Sequence, residues 1–313
     1  IIKKNVKIMD KLIRWVNAAS PTVRANVPLL VIDDEADQAS VDGNATKIDS
    51  DPTRTNEKIR IILRAFPRKA YVGYTATPFA NVFIKYDADD ETLGDDLYPR
   101  NFIYSLPEPP GYFGTRQIFN ENLDHYFVTE IENPRQEKQE LSNHGHITLG
   151  LEEAIYTFFI GIALRNLRSQ NGHPMSMMIN VDHRINRLNR MAKMIDFYVH
   201  TTLPAHYNEG RLQEIYNGFI DNAQQLNEKL HSENIYFEPE QVLQETIRII
   251  VSKEVIVRTL NSSKADKLDY AKEPSMKVIA IGGNKLSRGL TLEGLQVTYF
   301  LRESGQFDTL LQM

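Results

Sequence analysis

Residues 29–40 read LLVIDDEADQAS, an apolar run followed at once by acidic side chains. The run follows Pro28, and its nearly continuous apolar letters favour a parallel strand that is buried on both faces. Three carboxylates then stand where this strand would leave its sheet: Asp34, Glu35 and Asp37. Taken alone, they favour a solvated turn and a site for magnesium and water about equally.

The segments on either side alternate between helical and strand patterns. Apolar residues at helical spacing predict amphipathic helices at residues 6–16 and 56–66, and residues 69–81 predict a second strand that runs into a turn. A strand, a loop, a helix and a strand in this order are typical of doubly wound α/β domains. The only tryptophan, Trp15, falls in the first helix, where we expect it in the core.

The remainder of the chain predicts a second α/β unit. A strongly apolar helix near residue 150 precedes a strand at residues 173–182, and strands are expected to resume at residues 248–261. The region between the two units is acidic and rich in proline and glycine. We therefore expect one domain at 1–105, a connector at 106–150, and a second domain at 151–313 with a helical insertion at about 203–245.

The composition is that of a globular protein, with 25% charged and 42% hydrophobic residues among 313. A formal net charge of -5 argues against a generally basic nucleic-acid-binding surface but permits a local basic groove. The absence of cysteine excludes disulfides, thiolate metal sites and cysteine nucleophiles, and it fits a cytoplasmic protein. No apolar run approaches the ~20 residues that cross a bilayer, so we expect no membrane partner.

A second candidate element, GYTATPFAN, ends the next predicted strand. Because neighbouring parallel strands end at the same edge of a sheet, we expect the hydroxyls of Thr75 and Thr77 to bond the carboxylates that follow the first strand. If the carboxylates hold a nucleotide through its magnesium ion, such a contact would transmit a change at Asp37 to other parts of the domain. A turn held by threonine side chains and Pro78 is the alternative, and the position after the acidic stretch favours the contact.

A third candidate element is IGGNKLSRGLTLEGL, residues 281–295, between two predicted strands. Gly282 and Gly283 permit a tight turn in which the backbone approaches a ligand. The next polar and basic side chains are suited to a phosphate or a nucleic-acid backbone: Ser287, Arg288 and the adjacent Gly289.

VIDDEAD, TATP and LSRGLTLEGL resemble, in this order, motifs II, III and V of superfamily 2 helicases. Over nearly the whole chain the sequence also resembles the Z1 (Z-one) domain, a family named as an endonuclease domain and associated with bacterial restriction and defence loci. The resemblance implies RecA-like lobes, with parallel sheets covered by helices on both faces and nucleotide bound in the cleft between the lobes. It also implies ATP and Mg²⁺ as cofactors of the full-length parent.

The same resemblance implies roles for the motif residues. Asp34 would hold magnesium, with Asp33 as a second candidate ligand, and Glu35 would position the attacking water. Asp37 would couple hydrolysis to movement of the lobes. Nucleotide or DNA would be bound by residues of the other motifs: Thr75, Thr77, Gly283, Ser287, Arg288, Gly289 and Gln312.

The sequence also departs from the helicase pattern. No G-x-x-x-x-G-K-[ST] loop is present, and the chain stops at Gln312-Met313, where motif VI would begin. Both ends look cut, so we expect a fragment of a longer protein that does not hydrolyse ATP by itself. We expect its parent to be a DNA-dependent ATPase or translocase, with other subunits of a restriction-like system as partners.

A row of basic residues recurs at intervals of three on one predicted helix: Arg184, Arg187, Arg190 and Lys193. Such a row can follow a phosphate backbone, which makes DNA the expected partner, although solvated helix faces carry similar rows. Two other functions remain open. One is a scaffold that binds DNA or a partner subunit without hydrolysing nucleotide, and the other is a metal-dependent endonuclease with an unrecognised site.

Overall fold

The computed structural model is a mixed α/β protein with parallel sheets, which confirms the predicted class. The structure describes residues 1–42, 53–86, 89–90, 93–112, 114–120, 123–230, 237–260, 268–283, 286 and 291–301. These residues fall into two compact units, of which the first ends at Glu108 and the second begins at Pro109.

The first unit carries a two-stranded parallel sheet and its flanking helices. Its helices are α1 (Val6–Ala18), α2 (Pro21–Asn26), α3 (Arg54–Arg64) and α4 (Phe79–Val82). Its strands are β1 (Leu29–Asp34), β2 (Lys69–Tyr74) and a short antiparallel pair, β3 (Asp89–Asp90) with β4 (Gly94–Asp95).

The parallel sheet of the first unit buries one face. β1 pairs with β2 from Leu29 opposite Lys69 to Asp34 opposite Tyr74. One face packs on α1 and α3 through a small core: Met9, Ile59, Ile62, Ile84 and Leu97. On the other face Leu30 is 59% exposed and Ile32 64% exposed. The prediction that β1 is buried on both faces is therefore wrong for the part of the chain that the structure describes.

Trp15 is also placed differently from the prediction, since its side chain is 74% exposed. The buried stripe of α1 runs through Met9 and Val16, with Leu12 and Ile13 packed against the same core. Residue 15 falls outside this stripe because successive helical residues turn by about 100°.

The second unit is larger and its sheet is better covered. Its helices are α5 (Asp124–Phe127), α6 (Pro134–Gln139), α7 (Leu149–Leu167), α8 (Ile185–Phe197), α9 (Leu203–His206), α10 (Glu209–Leu230) and α11 (Pro239–Ser252). Its strands are β5 (Met175–Asn180), β6 (Ile256–Leu260), β7 (Lys277–Gly282) and β8 (Leu295–Phe300). They form one parallel sheet in the order β6-β7-β5-β8.

Both faces of β5 are buried, but each is covered by different elements of the chain. Met175, Met177 and Ile179 face a core built from α7, α8 and α11. Met178 lies on the opposite face, in a cluster whose other members come from strands and connecting segments: Leu260, Leu268, Ala280, Leu286 and Leu292. Within the described residues, helices thus cover one face of this sheet, and the predicted helix layers on both faces are not observed.

Residues 248–252 correct a further prediction, because they are the last turn of α11 and not the start of a strand. Ile249 and Ile250 are buried against the core of the second unit, so their apolar run belongs to a helix face. A short apolar run alone does not distinguish a buried helix from a strand. Helices α9, α10 and α11 all lie between α8 and β6.

The predicted connector at 106–150 is largely joined to the second unit. Thr148 caps α7 by accepting from the Leu151 backbone N–H at 3.4 Å. Glu137 Oε1 accepts from the hydroxyls of Thr148 and Tyr299, which ties α6 to β8. Burial and the bond to Glu137 raise the pKa of Tyr299 above its usual value, so the phenol stays protonated.

None of the helices in the described ranges has the length and apolarity that crossing a bilayer requires.

Candidate active site

The acidic stretch forms a tight turn at the carboxyl end of β1. The Ala36 backbone N–H donates to the Tyr74 carbonyl at 2.9 Å, and the Gln38 N–H donates to the Glu35 carbonyl at 2.9 Å. Glu35 has a φ of +53°, the left-handed region that non-glycine residues rarely adopt. Such a conformation costs of order 1–3 kcal/mol and persists only when its surroundings hold it in place.

Asp37 joins this turn to the end of β2. Its Oδ1 accepts from the Thr75 hydroxyl at 2.8 Å, and its Oδ2 accepts from the Thr77 hydroxyl at 3.0 Å. The Thr75 hydroxyl oxygen also accepts from the Thr77 N–H at 2.9 Å. Asp37 and Thr77 are buried, with 8% and 3% exposure. The structure therefore brings together the residues that the sequence placed in contact.

Asp33 is engaged in an internal network and is 7% exposed. Its Oδ1 pairs with the Lys4 ammonium at 2.8 Å. Its Oδ2 accepts from the hydroxyls of Ser40 and Tyr71, each at 2.6 Å. Burial and the bond to Asp33 raise the pKa of Tyr71 well above its usual value, which keeps the phenol a donor. Both carboxylate oxygens of Asp33 are thus already used by the protein.

Asp34, unlike Asp33, is exposed to solvent. Its Oδ1 accepts from the Glu35 backbone N–H at 3.1 Å, and no other residue that the structure describes bonds its side chain. Mg²⁺ prefers carboxylate oxygens together with several retained waters, and an exposed carboxylate at a strand end is compatible with that preference. Of the two candidate metal ligands, Asp34 is the one that is exposed, whereas Asp33 is buried and bonded through both carboxylate oxygens.

Gly73 allows the turn to lie against β2. A Cβ at this position would stand 2.8 Å from the Ala36 Cβ, closer than such atoms approach. The glycine thus creates the space in which the turn after β1 packs on the neighbouring strand. No spacing signal in the sequence identifies this requirement.

In the second unit, Asp182 and Gly283 meet at the carboxyl ends of β5 and β7. A Cβ on Gly283 would stand 2.8 Å from the His183 Cα and 3.1 Å from the Asp182 carbonyl oxygen. Asp182 Oδ1 accepts from the backbone N–H groups of His183 at 2.7 Å and Arg184 at 2.9 Å. Asp182 Oδ2 pairs with Arg187 Nη1 at 2.9 Å. Gly283 therefore permits a close approach to the turn that begins α8.

The pKa of Asp182 follows from this setting. Burial alone would raise it, but the N–H of Arg184, the Arg187 guanidinium and the N–H of His183 together lower it below its usual value. The carboxylate is therefore charged at neutral pH, and it fixes the two residues that lead into α8 and the Arg187 side chain of its first turn.

The predicted basic row is only partly available to a ligand. Arg184, Arg190 and Lys193 are exposed, whereas Arg187 is half-buried by its pair with Asp182. The structure therefore leaves three cations of the row exposed, two on α8 and Arg184 at its N-cap, since a period of three drifts around a helix.

Some predicted site residues lie outside the described residues: Ser287, Arg288, Gly289 and Gln312. Among the residues that are described, no group of three or more His, Asp and Glu side chains could hold a metal ion. Sequence reasoning missed Lys4, Ser40 and Tyr71, which surround Asp33. Their contacts depend on tertiary packing, and no motif spacing indicates them.

Comparison with known proteins identifies the family. The Z1 domain matches residues 150–313, which is more than half of the chain. The chain belongs to the Z1 domain family. Neither the curated proteins nor the solved structures contain a match to it. The matched range covers most of the second unit, including the sheet edge with Asp182 and Gly283.

We expect Gly73→Ala to lower the free energy of unfolding by about 1–3 kcal/mol, because the added Cβ collides with Ala36. Gly218→Ala is the control, since Gly218 lies in α10 with nothing within 4 Å of an added Cβ. That change should be neutral or stabilise by up to about 1 kcal/mol. Urea unfolding measures both. Equal midpoints for the two variants would contradict the packing argument.

Asp182→Asn should lower the free energy of unfolding by about 1–3 kcal/mol at pH 7, because the ion pair with Arg187 is lost and the bonds to the His183 and Arg184 N–H groups are weakened. A carboxyl with a lowered folded-state pKa stabilises the protein above its unfolded pKa and ceases to do so as pH falls through the folded value. The difference from wild type should therefore disappear as pH falls below 3.8. Urea midpoints across this range test the prediction, with exposed Asp221→Asn as control. A difference that is constant with pH would count against it.

Proposed function

We propose that this chain is part of a helicase-type, DNA-dependent ATPase or translocase of a bacterial restriction or defence system. The observation that carries the proposal is the contact of Asp37 with Thr75 and Thr77 at adjacent strand ends, next to exposed Asp34. A solvated surface turn does not require a buried carboxylate that is held by two hydroxyls. The resemblance of these same residues to helicase motifs II and III supports the same conclusion.

The chemistry follows from the positions of the two carboxylates. Asp34 would hold a magnesium ion, which would neutralise charge on the phosphates of ATP when both are bound. Glu35 follows directly and orients the attacking water, from which it accepts a proton. Its left-handed backbone, with φ of +53°, gives its side chain a direction that continued strand geometry would not.

The contact of Asp37 with Thr75 and Thr77 would couple the carboxylate turn to the segment that follows β2. Asp37 is three residues from Asp34 on the same tight turn, and its two oxygens are bonded to the segment that follows β2. A displacement of the turn would therefore shift these bonds or break them. Nucleotide state is thereby transmitted to Thr75 and Thr77, and through them to α4.

DNA binding is assigned to α8. Arg190 and Lys193 are exposed on this helix and Arg184 at its N-cap, and phosphates are attracted to such cations without regard to sequence. Arg187 contributes less to DNA, since Asp182 already neutralises it. The proposal locates the protein in the cytoplasm, with other subunits of the system as partners.

We expect the full-length protein to release phosphate from ATP faster when duplex DNA is present. The proposal requires it to supply the phosphate-binding loop that these 313 residues lack. Glu35→Gln should lower kcat by about 10²–10⁴-fold, because the water loses its general base. Exposed Glu132→Gln removes one charge elsewhere and should leave turnover unchanged. A Glu35→Gln variant with wild-type kcat would contradict the assignment.

The same preparations should be assayed for DNA cleavage with Mg²⁺ and without ATP. No cleavage is expected, because the proposal assigns the carboxylates to nucleotide hydrolysis. Cleavage that is retained in Glu35→Gln would instead indicate an endonuclease with a separate site. Absence of both activities would favour a scaffold that binds DNA or a partner subunit.

The double variant Arg190→Ala, Lys193→Ala should weaken duplex binding for all sequences alike. The slope of log K against log salt concentration should fall by about 2, since each phosphate contact contributes about 0.9 to it. Lys272→Ala, an exposed cation elsewhere in the second unit, is the control. Fluorescence anisotropy over a salt range gives both slopes. An unchanged slope in the double variant would remove α8 from the DNA interface.

A further inference from the structure

Lys4 approaches the acidic turn from the start of the chain. It precedes Asn5, whose side-chain oxygen caps α1 by accepting from the Lys7 N–H at 3.0 Å. The helix therefore fixes the backbone from which the Lys4 side chain extends. That side chain is only 21% exposed. Because lysine is rarely buried without a partner, this burial points to specific contacts of its ammonium group.

The Lys4 ammonium meets four oxygens of the turn. It lies 2.8 Å from Asp33 Oδ1, 2.9 Å from the Asp34 carbonyl and 2.7 Å from the Glu35 carbonyl. The Ser40 hydroxyl oxygen is 3.0 Å away. An ammonium group has three donor hydrogens directed outward in different directions, which suits convergent oxygens better than the planar fork of arginine does.

Two of these oxygens are consecutive backbone carbonyls on either side of the Glu35 residue. Glu35 has the left-handed φ of +53°, which its surroundings must hold in place. A cation that binds both carbonyls favours this conformation, because an extended backbone at Glu35 would direct them to opposite sides. The fourth contact closes the turn, since Ser40 also donates to Asp33.

We propose that Lys4 is a positioning residue for Asp34 and Glu35. It holds the left-handed turn that aims the Glu35 side chain, and it neutralises Asp33 so that a divalent cation is directed to Asp34. Lys4 contacts no exposed carboxylate oxygen of Asp34, so its effect is exerted through the backbone and through Asp33. The consequence for turnover rests on the proposed ATPase function, whereas the anchoring of the turn does not.

The first test is hydrogen exchange of two amides of the turn, those of Ala36, which donates to the Tyr74 carbonyl, and Gln38, which donates to the Glu35 carbonyl. In the full-length protein, Lys4→Met should speed their exchange by about tenfold or more, because loss of a buried partner frees local opening. Lys3→Met removes an exposed neighbouring cation and should leave exchange unchanged. Wild-type exchange in Lys4→Met overturns the proposal, whatever the ATPase assay gives.

A second variant separates positioning from general loss of stability. The double variant Lys4→Met, Asp33→Asn leaves no unpaired buried carboxylate, so it should not destabilise the first unit as a whole. The backbone amides of α3, which contributes to the core of that unit, should therefore exchange as in wild type. The turn amides should still exchange faster, since the bonds to the Asp34 and Glu35 carbonyls remain absent. We expect kcat for ATP to fall by about tenfold or more with KM changed less than twofold. An unchanged kcat with a loosened turn would overturn the positioning role.

The two proposals fail in distinguishable ways. If wild type shows no ATP turnover while the turn depends on Lys4, the proposed function is wrong and the anchoring stands. If wild type turns over ATP and the turn does not depend on Lys4, the anchoring role of Lys4 is wrong and the proposed function stands.

Discussion

Two threonine hydroxyls donating to one buried carboxylate hold the candidate site together. Asp37 receives Thr75 and Thr77 at 2.8 and 3.0 Å, and this pair of bonds exists because β1 and β2 are parallel and end in register. Parallel pairing brings both carboxyl ends to one edge, where a turn after one strand can meet a turn after the next. Gly73 then provides the space that lets Ala36 lie against β2.

Charge at this edge is divided between inward and outward carboxylates. Asp33 is buried and receives Lys4, Ser40 and Tyr71, so its desolvation is offset by an ion pair and two hydrogen bonds. Its neighbour Asp34 alternates to the opposite side of the strand and is exposed. A single step along the strand therefore separates a buried, structural carboxylate from an exposed one. The second unit repeats the structural theme, because buried Asp182 fixes the start of α8 through backbone N–H groups and Arg187.

The local sequence predicted the α/β class and the contact of Asp37 with Thr75 and Thr77, because hydrophobic runs and strand-end residues carry that information. It did not predict that Leu30 and Ile32 are exposed, since an apolar run is compatible with one covered face or two. It placed a strand at residues 248–252, where buried Ile249 and Ile250 are helical. Lys4 could not be found from sequence, because its contacts with Asp33 and Ser40 span 29 and 36 positions of the chain and follow no motif.

We propose that the end of β1 is a metal site in which Asp34, and not Asp33, is the ligand. Electron paramagnetic resonance of Mn²⁺ bound to the full-length protein with ATP tests it most directly. The account predicts that Asp34→Asn weakens Mn²⁺ binding by about tenfold or more, as expected when a ligand is lost. The single variant Asp33→Asn should keep it near the wild-type value, because Asp33 does not touch the ion and Lys4 keeps its bonds to the Asp34 and Glu35 carbonyls. Mn²⁺ binding that is insensitive to Asp34 would contradict the account.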